Sequence, residues 1–87
     1  MITIYKYTLE LTEYQNIQGI RVKDILTAQV QNNKIVLWVK ISTSAPIVNL
    51  QIRIAGTGNE FNDGNFYTYI STIQLESFVW HIFYAYD

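Results

Sequence analysis

From Val48 to Ile54 the chain alternates without a break: Val48, Leu50, Ile52 and Ile54 are apolar, and Asn49, Gln51 and Arg53 are polar. A period of two sends successive side chains to opposite faces of an extended backbone, so this run specifies a strand with one buried and one solvated face. It leads into Ala55-Gly56-Thr57-Gly58-Asn59, where two glycines free the backbone for positive φ and for N–H groups turned outward. Arg53 lies on the wet face, a few residues from those donors. Strand, glycine turn and cation together form a candidate anion seat. The plainer readings are a tight turn for the glycines and a solvated strand face for Arg53.

The same period recurs along the chain. Ile2–Leu9 is β-branched and aromatic and reads as a first strand, with Tyr5, Tyr7 and Leu9 on one face. Ile25–Gln31 and Ile35–Ser42 flank Asn32-Asn33-Lys34, residues that tolerate positive φ in a tight hairpin. Leu26, Ala28 and Val30 share one face of the first arm. In the second arm, Ile35, Leu37, Val39 and Ile41 face one way and Val36, Trp38 and Lys40 the other. Apolar residues on both faces mark a central strand or one that meets a partner. Tyr67–Leu75, a turn at Glu76-Ser77 and Phe78–Tyr86 complete the pattern, with Phe78, Trp80, Ile82, Tyr84 and Tyr86 opposite Val79, His81, Phe83 and Ala85. Period two fails only from Glu10 to Gln18, where Thr12-Glu13-Tyr14-Gln15 resembles a Thr-capped helical turn ended by Gly19, and Arg21, Lys23 and Asp24 read as a surface loop. Glu60–Asn65 (EFNDGN) reads as a rim or lid loop. The predicted fold is a single all-β domain over residues 1–87. It is mainly antiparallel, a small sandwich or partly open barrel of about six strands, with at most one short helical turn near 12–18.

Composition narrows the function classes. No cysteine is present, which removes disulfides and thiolate metal sites. Six Lys/Arg against seven Asp/Glu give a net charge of −1 without a basic run, so long DNA or RNA is not an expected partner. A ligand with one or two phosphates is compatible with one arginine and a few N–H donors. No membrane-length apolar run and no secretory signal is visible, and the expected location is the cytoplasm. Thirteen aromatic residues, seven tyrosines, four phenylalanines and two tryptophans, exceed what so small an interior can hide. Some belong in a subunit interface or a ligand pocket.

Catalytic groups are sparse. A single histidine rules out a two-histidine zinc site, and a Ser71, His81 and Asp63 set lacks a nucleophile elbow. The expectation is no enzyme activity, no metal and no cofactor. His81, between Trp80 and Ile82, reads as a half-buried histidine with one satisfied nitrogen, or as a hydrogen-bonding group for a ligand. Tyr5, Tyr7, Trp38, Trp80 and Phe83 read as core or as stacking platforms.

Taken in order, the segments IYKY at residues 4–7, LTAQVQNN followed by LW across 26–38, AGTGN at 55–59, YISTIQ at 69–74 and FVWHIF at 78–83 resemble a family of small proteins encoded by tailed phages. The chain departs from that pattern at Thr8, where proline is usual. It departs again at Asn33-Lys34 in place of Asn-Gly, at Asn59-Glu60 in place of His-Pro, and at Ser71 in place of Gly. The resemblance implies a counter-defence protein of the host cytoplasm. Such a protein sequesters a cyclic dinucleotide signal of the CBASS type, such as 3′3′-cGAMP, as a dimer or tetramer and without cleaving it. On that reading Arg53 and the N–H groups of Gly56, Thr57 and Gly58 meet phosphate, and Thr57 and Asn59 bond ligand edges. Tyr5, Trp38 or Trp80 stacks on a base, and His81 donates or orients. Three alternatives stand beside it. One is a binder of a host protein. Another is a sponge for another signal, of the cyclic ADP-ribose or cyclic trinucleotide type. The third is an enzyme that degrades the signal and leaves product behind.

Overall fold

In a computed structural model, which describes residues 1–61 and 66–86, seven strands form two antiparallel sheets. They are β1 (Ile2–Leu9), β2 (Tyr14–Ile20), β3 (Val22–Gln31), β4 (Lys34–Ser42), β5 (Val48–Gly56), β6 (Thr68–Leu75) and β7 (Phe78–Tyr86). One sheet has the order β1-β4-β3 and the other β2-β5-β7-β6. The architecture is the expected all-β sandwich. Among the described residues there is no helix long and apolar enough to cross a membrane.

The strands that alternate most cleanly occupy the middle of the sheets. Ile35, Leu37, Val39, Leu50, Ile52 and Ile82, from β4, β5 and β7, are the largest fully buried side chains, and one core draws on both sheets. β4 is central in its sheet, as its two apolar faces require. Asn32 and Asn33 both take positive φ, 53° and 61°, in the hairpin joining β3 to β4. Ser71 of β6 stitches the sheets together. Its hydroxyl accepts from the Ala28 N–H at 2.9 Å and shares a hydrogen bond of 3.0 Å with the Thr27 hydroxyl.

The segment near 12–18 is not a helical turn but β2, which raises the count to seven strands. The Thr12 hydroxyl donates to the Tyr14 carbonyl instead of capping N–H groups, and the Gln15 amide reaches back to Glu10 and Thr12. Tyr14–Ile17 instead pair with Arg53–Leu50, because a strand with an unpaired edge offers more backbone bonds than one isolated turn. Gly19, at φ 71°, falls in the register shift between Ile17 and Ile20. Only Arg21 separates β2 from β3, so Lys23 and Asp24 are solvated strand residues instead of a loop. A register shift between Ile25 and Thr27 sets Ile25 against the core and leaves Leu26 exposed.

Candidate functional site

The outer face of the four-stranded sheet carries the polar side of β5 and the His81 side of β7. Register places Tyr14, Arg53, Phe83 and Tyr69 in one row across β2, β5, β7 and β6. Arg53 lies on the predicted face, but it is not wet. It is 3% exposed, its guanidinium carbon stands 4.6 Å from the Tyr14 ring centroid and 4.8 Å from that of Phe61, and it donates to the Ile54 carbonyl at 2.8 Å. Glu13 is 3.8 Å away. A weakly hydrated planar cation between two rings holds the segments around Tyr14 and Phe61 against the sheet. Phe61 also tilts against Phe83 at 4.6 Å, and Phe83 meets Tyr69 edge-on at 5.7 Å.

One residue pair further along β5 the strand closes into the glycine turn. The Asn59 N–H donates to the Gly56 carbonyl at 3.1 Å, and the Thr57 N–H donates to Val79 of β7 at 3.2 Å. One of the expected anion donors, the Thr57 N–H, is therefore bound into backbone, and the outward N–H cradle over Gly56–Gly58 does not form as a set. Only Gly58 uses positive φ, at 85°. Gly56 is needed for space: a β-carbon there would stand 2.8 Å from the Asn59 amide nitrogen and 3.2 Å from the Trp80 ring.

What the turn does present is side chains. Thr57 Oγ1 lies 2.7 Å from His81 Nε2, His81 Nδ1 lies 3.0 Å from Thr72 Oγ1, and Thr72 Oγ1 lies 2.8 Å from the Tyr69 hydroxyl. A neutral imidazole donates from one nitrogen and accepts at the other, so the direction of one bond sets the whole line. In one sense the Tyr69 proton points out of the chain; in the other, the Thr57 proton does. Thr57 and His81, with Asn59, Phe61 and Phe83, line a cleft of about 320 Å³, and no carboxylate is among its described lining residues. Its chemistry is an aromatic wall facing a hydrogen-bonding edge. Among the described residues no group of three or more His, Cys, Asp or Glu is placed to hold a metal.

Five of the nine expected residues, Gly56, Thr57, Gly58, Asn59 and His81, meet in this cleft, and Arg53 lies beneath it. Trp80 projects to the opposite face of β7, packs against the core and backs a smaller 90 Å³ recess with Arg53 and Asn59. Trp38 and Tyr5 belong to the other sheet. The Trp38 indole donates to Gln29 at 3.2 Å under the Lys6 ammonium, and Tyr5 lines a separate 230 Å³ cleft with Tyr7, Ile41 and Ile47. Ser71 faces β3 while His81 faces outward, so these two do not form a nucleophile–base pair. Asp63, the third member of that set, and residues 62–65 of the Glu60–Asn65 loop lie outside the described residues. Phe83 was legible as the residue two beyond His81 on one strand face, whereas Phe61, in a polar loop, carried no periodic signal.

Across residues 1–87 the chain matches the family described as a domain of unknown function, DUF7352, and belongs to it. No match is found among curated proteins, and none among solved structures.

Proposed function

We propose that the protein is a non-enzymatic sponge that binds and sequesters a cyclic dinucleotide of the 3′3′-cGAMP kind in the cleft between the glycine turn and His81. The observation that carries this reading is the meeting of an aromatic wall, Phe61 and Phe83, with the hydrogen-bonding edge of Thr57, Asn59 and His81. A flat base stacks on the wall, contributing about 1–3 kcal/mol, while the edge meets base or phosphate oxygens. A cleft of about 320 Å³ lies at the lower limit of small-molecule pockets, room for one half of such a ligand. Two copies of the site facing across a two-fold axis would enclose a ligand made of two nucleotides, which makes a homo-oligomer the working form. The setting, a phage protein that blunts CBASS immunity in the host cytoplasm, is supported by the ordered motifs from IYKY to FVWHIF.

The test is thermal melting at fixed protein concentration against a panel of cyclic nucleotides. A ligand that binds only the folded state raises the midpoint by an amount that grows with its concentration over Kd. The expected result is a rise with one cyclic dinucleotide, none with linear AMP or GMP, and loss of the rise in a Thr57→Arg variant that folds and assembles normally. A flat panel for folded, assembled protein overturns the reading. It would favour instead a host-protein binder, for which Ile2 and Ile4, 56% and 54% exposed on β1, offer an apolar contact.

A further inference from the structure

The two sheets are stitched together along one side and part along the other. Ser71 of β6 bonds to β3, whereas β1 and β2, the opposite edge strands, flank the cleft of about 230 Å³ that holds Tyr5. Tyr5 and Tyr7 pair with the fully buried Val39 and Leu37, so both rings leave β1 on the face turned toward the core. Tyr5 is nonetheless 49% exposed, and Ile47, which also lines the cleft, is 59% exposed. Ile20 and Ile41 complete an apolar lining. The two tyrosine rings meet edge to face, 6.4 Å apart at 62°, and neither hydroxyl has a hydrogen-bond partner among the described residues. Burial, with Tyr5 adding to the effect, raises the Tyr7 phenol above its ordinary value, so this hydroxyl is a proton donor at neutral pH.

Arg21, between β2 and β3, brings a cation to this cleft. The end of β4 and the turn after it hold the residue twice. Its carbonyl accepts from the Ser42 N–H at 3.1 Å, and its Nη1 donates to the Ala45 carbonyl at 2.7 Å. The Nε–Nη2 edge keeps no protein partner among the described residues, and such an edge donates to both oxygens of a carboxylate. An anchored guanidinium beside apolar walls and phenol donors is the complement of an anion with an apolar body. One guanidinium balances one negative charge, and the apolar lining penalises the second charge of a phosphate monoester. The volume of 230 Å³ lies below the roughly 300 Å³ at which pockets for drug-sized ligands begin, so the guest is small. Tyrosine faces and edges reward contact with a flat ring, which an aliphatic chain cannot exploit. We propose that this cleft is a binding site for a small aromatic carboxylate, its ring among Tyr5, Tyr7 and the isoleucines and its carboxylate on Arg21. It shares no residue with the cleft at His81 and stands whether or not that cleft holds a cyclic dinucleotide.

The experiment follows the isoleucine δ1-methyl signals of ¹³C-labelled protein while phenylacetate is added to about 10 mM, a range that reveals millimolar binding. Ile20→Val, Ile41→Val and Ile47→Val assign the three signals of the cleft. The expected result is a saturable shift of these three methyls under the ring current of the guest, while the methyl of the fully buried Ile82 stays fixed. Phenylacetamide keeps the shape without the charge, and hexanoate keeps the charge without the ring. Each should bind about tenfold more weakly than phenylacetate. Arg21→Gln, at an exposed position, should weaken phenylacetate binding about tenfold at an unchanged melting temperature. Absence of a saturable shift overturns the proposal. So does equal binding of phenylacetamide, or undiminished binding by Arg21→Gln, either of which would remove the cation from the site. Equal binding of hexanoate would also overturn it, by making the cleft an aliphatic one.

Discussion

Arg53 offers the sharpest test of the physical account, because its burial turns an apparent ligand group into a structural one. In Arg53→Met the aliphatic stem is kept and the guanidinium removed. Two ring contacts, at 4.6 and 4.8 Å, are lost at about 1 kcal/mol each, together with a charged hydrogen bond to the Ile54 carbonyl at about 2 kcal/mol. Relief of the guanidinium's own desolvation returns about 1–2 kcal/mol, so the net loss is about 2–3 kcal/mol. Glu13 is largely exposed and screened, and its pairing adds little. A domain of this size loses roughly 4–8 °C of melting temperature per kcal/mol, so the midpoint should fall by about 10–20 °C. Urea denaturation of wild type, Arg53→Met and Arg53→Lys reads the change as a shift of midpoint at constant slope. Lysine should rescue little, since a compact ammonium cannot lie flat between two rings. If Arg53→Lys matches wild type in stability, or Arg53→Met loses less than about 0.5 kcal/mol, the sandwiched-cation argument is wrong.

Three further outcomes follow from the geometry. Gly58→Ala should cost about 1 kcal/mol in urea melts, because a β-carbon has open space there and only the positive φ of 85° opposes it, while Gly58→Asn should cost less. Ser71→Ala strips the Ala28 N–H of its acceptor at the junction of the sheets and should cost about 1–3 kcal/mol, with hydrogen exchange at Ala28 accelerated. Tyr7 and Tyr86 have pKa values raised above 10.0, first by burial and then by neighbouring tyrosines, with Asp24 adding to the shift at Tyr86. A raised phenol pKa favours the folded state's protonated form, so this stability is complete below pH 10 and is lost as pH climbs through the folded-state values. Chemical denaturation from pH 8 to 11 should show the decline, and Tyr7→Phe should flatten it.

Where one face is buried and the other solvated, alternation identifies a strand and both its faces at once. Val48–Ile54 was legible for that reason, whereas Phe78–Tyr86 was legible from its run of aromatic and β-branched residues. The Asn32-Asn33 hairpin was legible because both positions require positive φ. β2 was not, since its residues TEYQNIQGI carry mixed local preferences and its strand state comes from pairing with β5. The site was legible in its polar half, Thr57, Asn59 and His81, which share a turn and the adjoining strand. Its aromatic half depends on Phe61 folding back over the sheet onto Arg53, a contact between distant groups with no local pattern. Burial of Arg53 escaped the sequence reading for the same reason: alternation tells which face a side chain leaves from, not what later covers it.

The central claim is that the protein holds a cyclic dinucleotide and does not cleave it. The direct measurement mixes 3′3′-cGAMP with excess protein, isolates the protein fraction, denatures it with heat and identifies the released nucleotide by mass spectrometry. Intact ligand is expected, about one per two chains, and none from the Thr57→Arg variant. Linear products in the released fraction, or no retained nucleotide with folded wild-type protein, would contradict it.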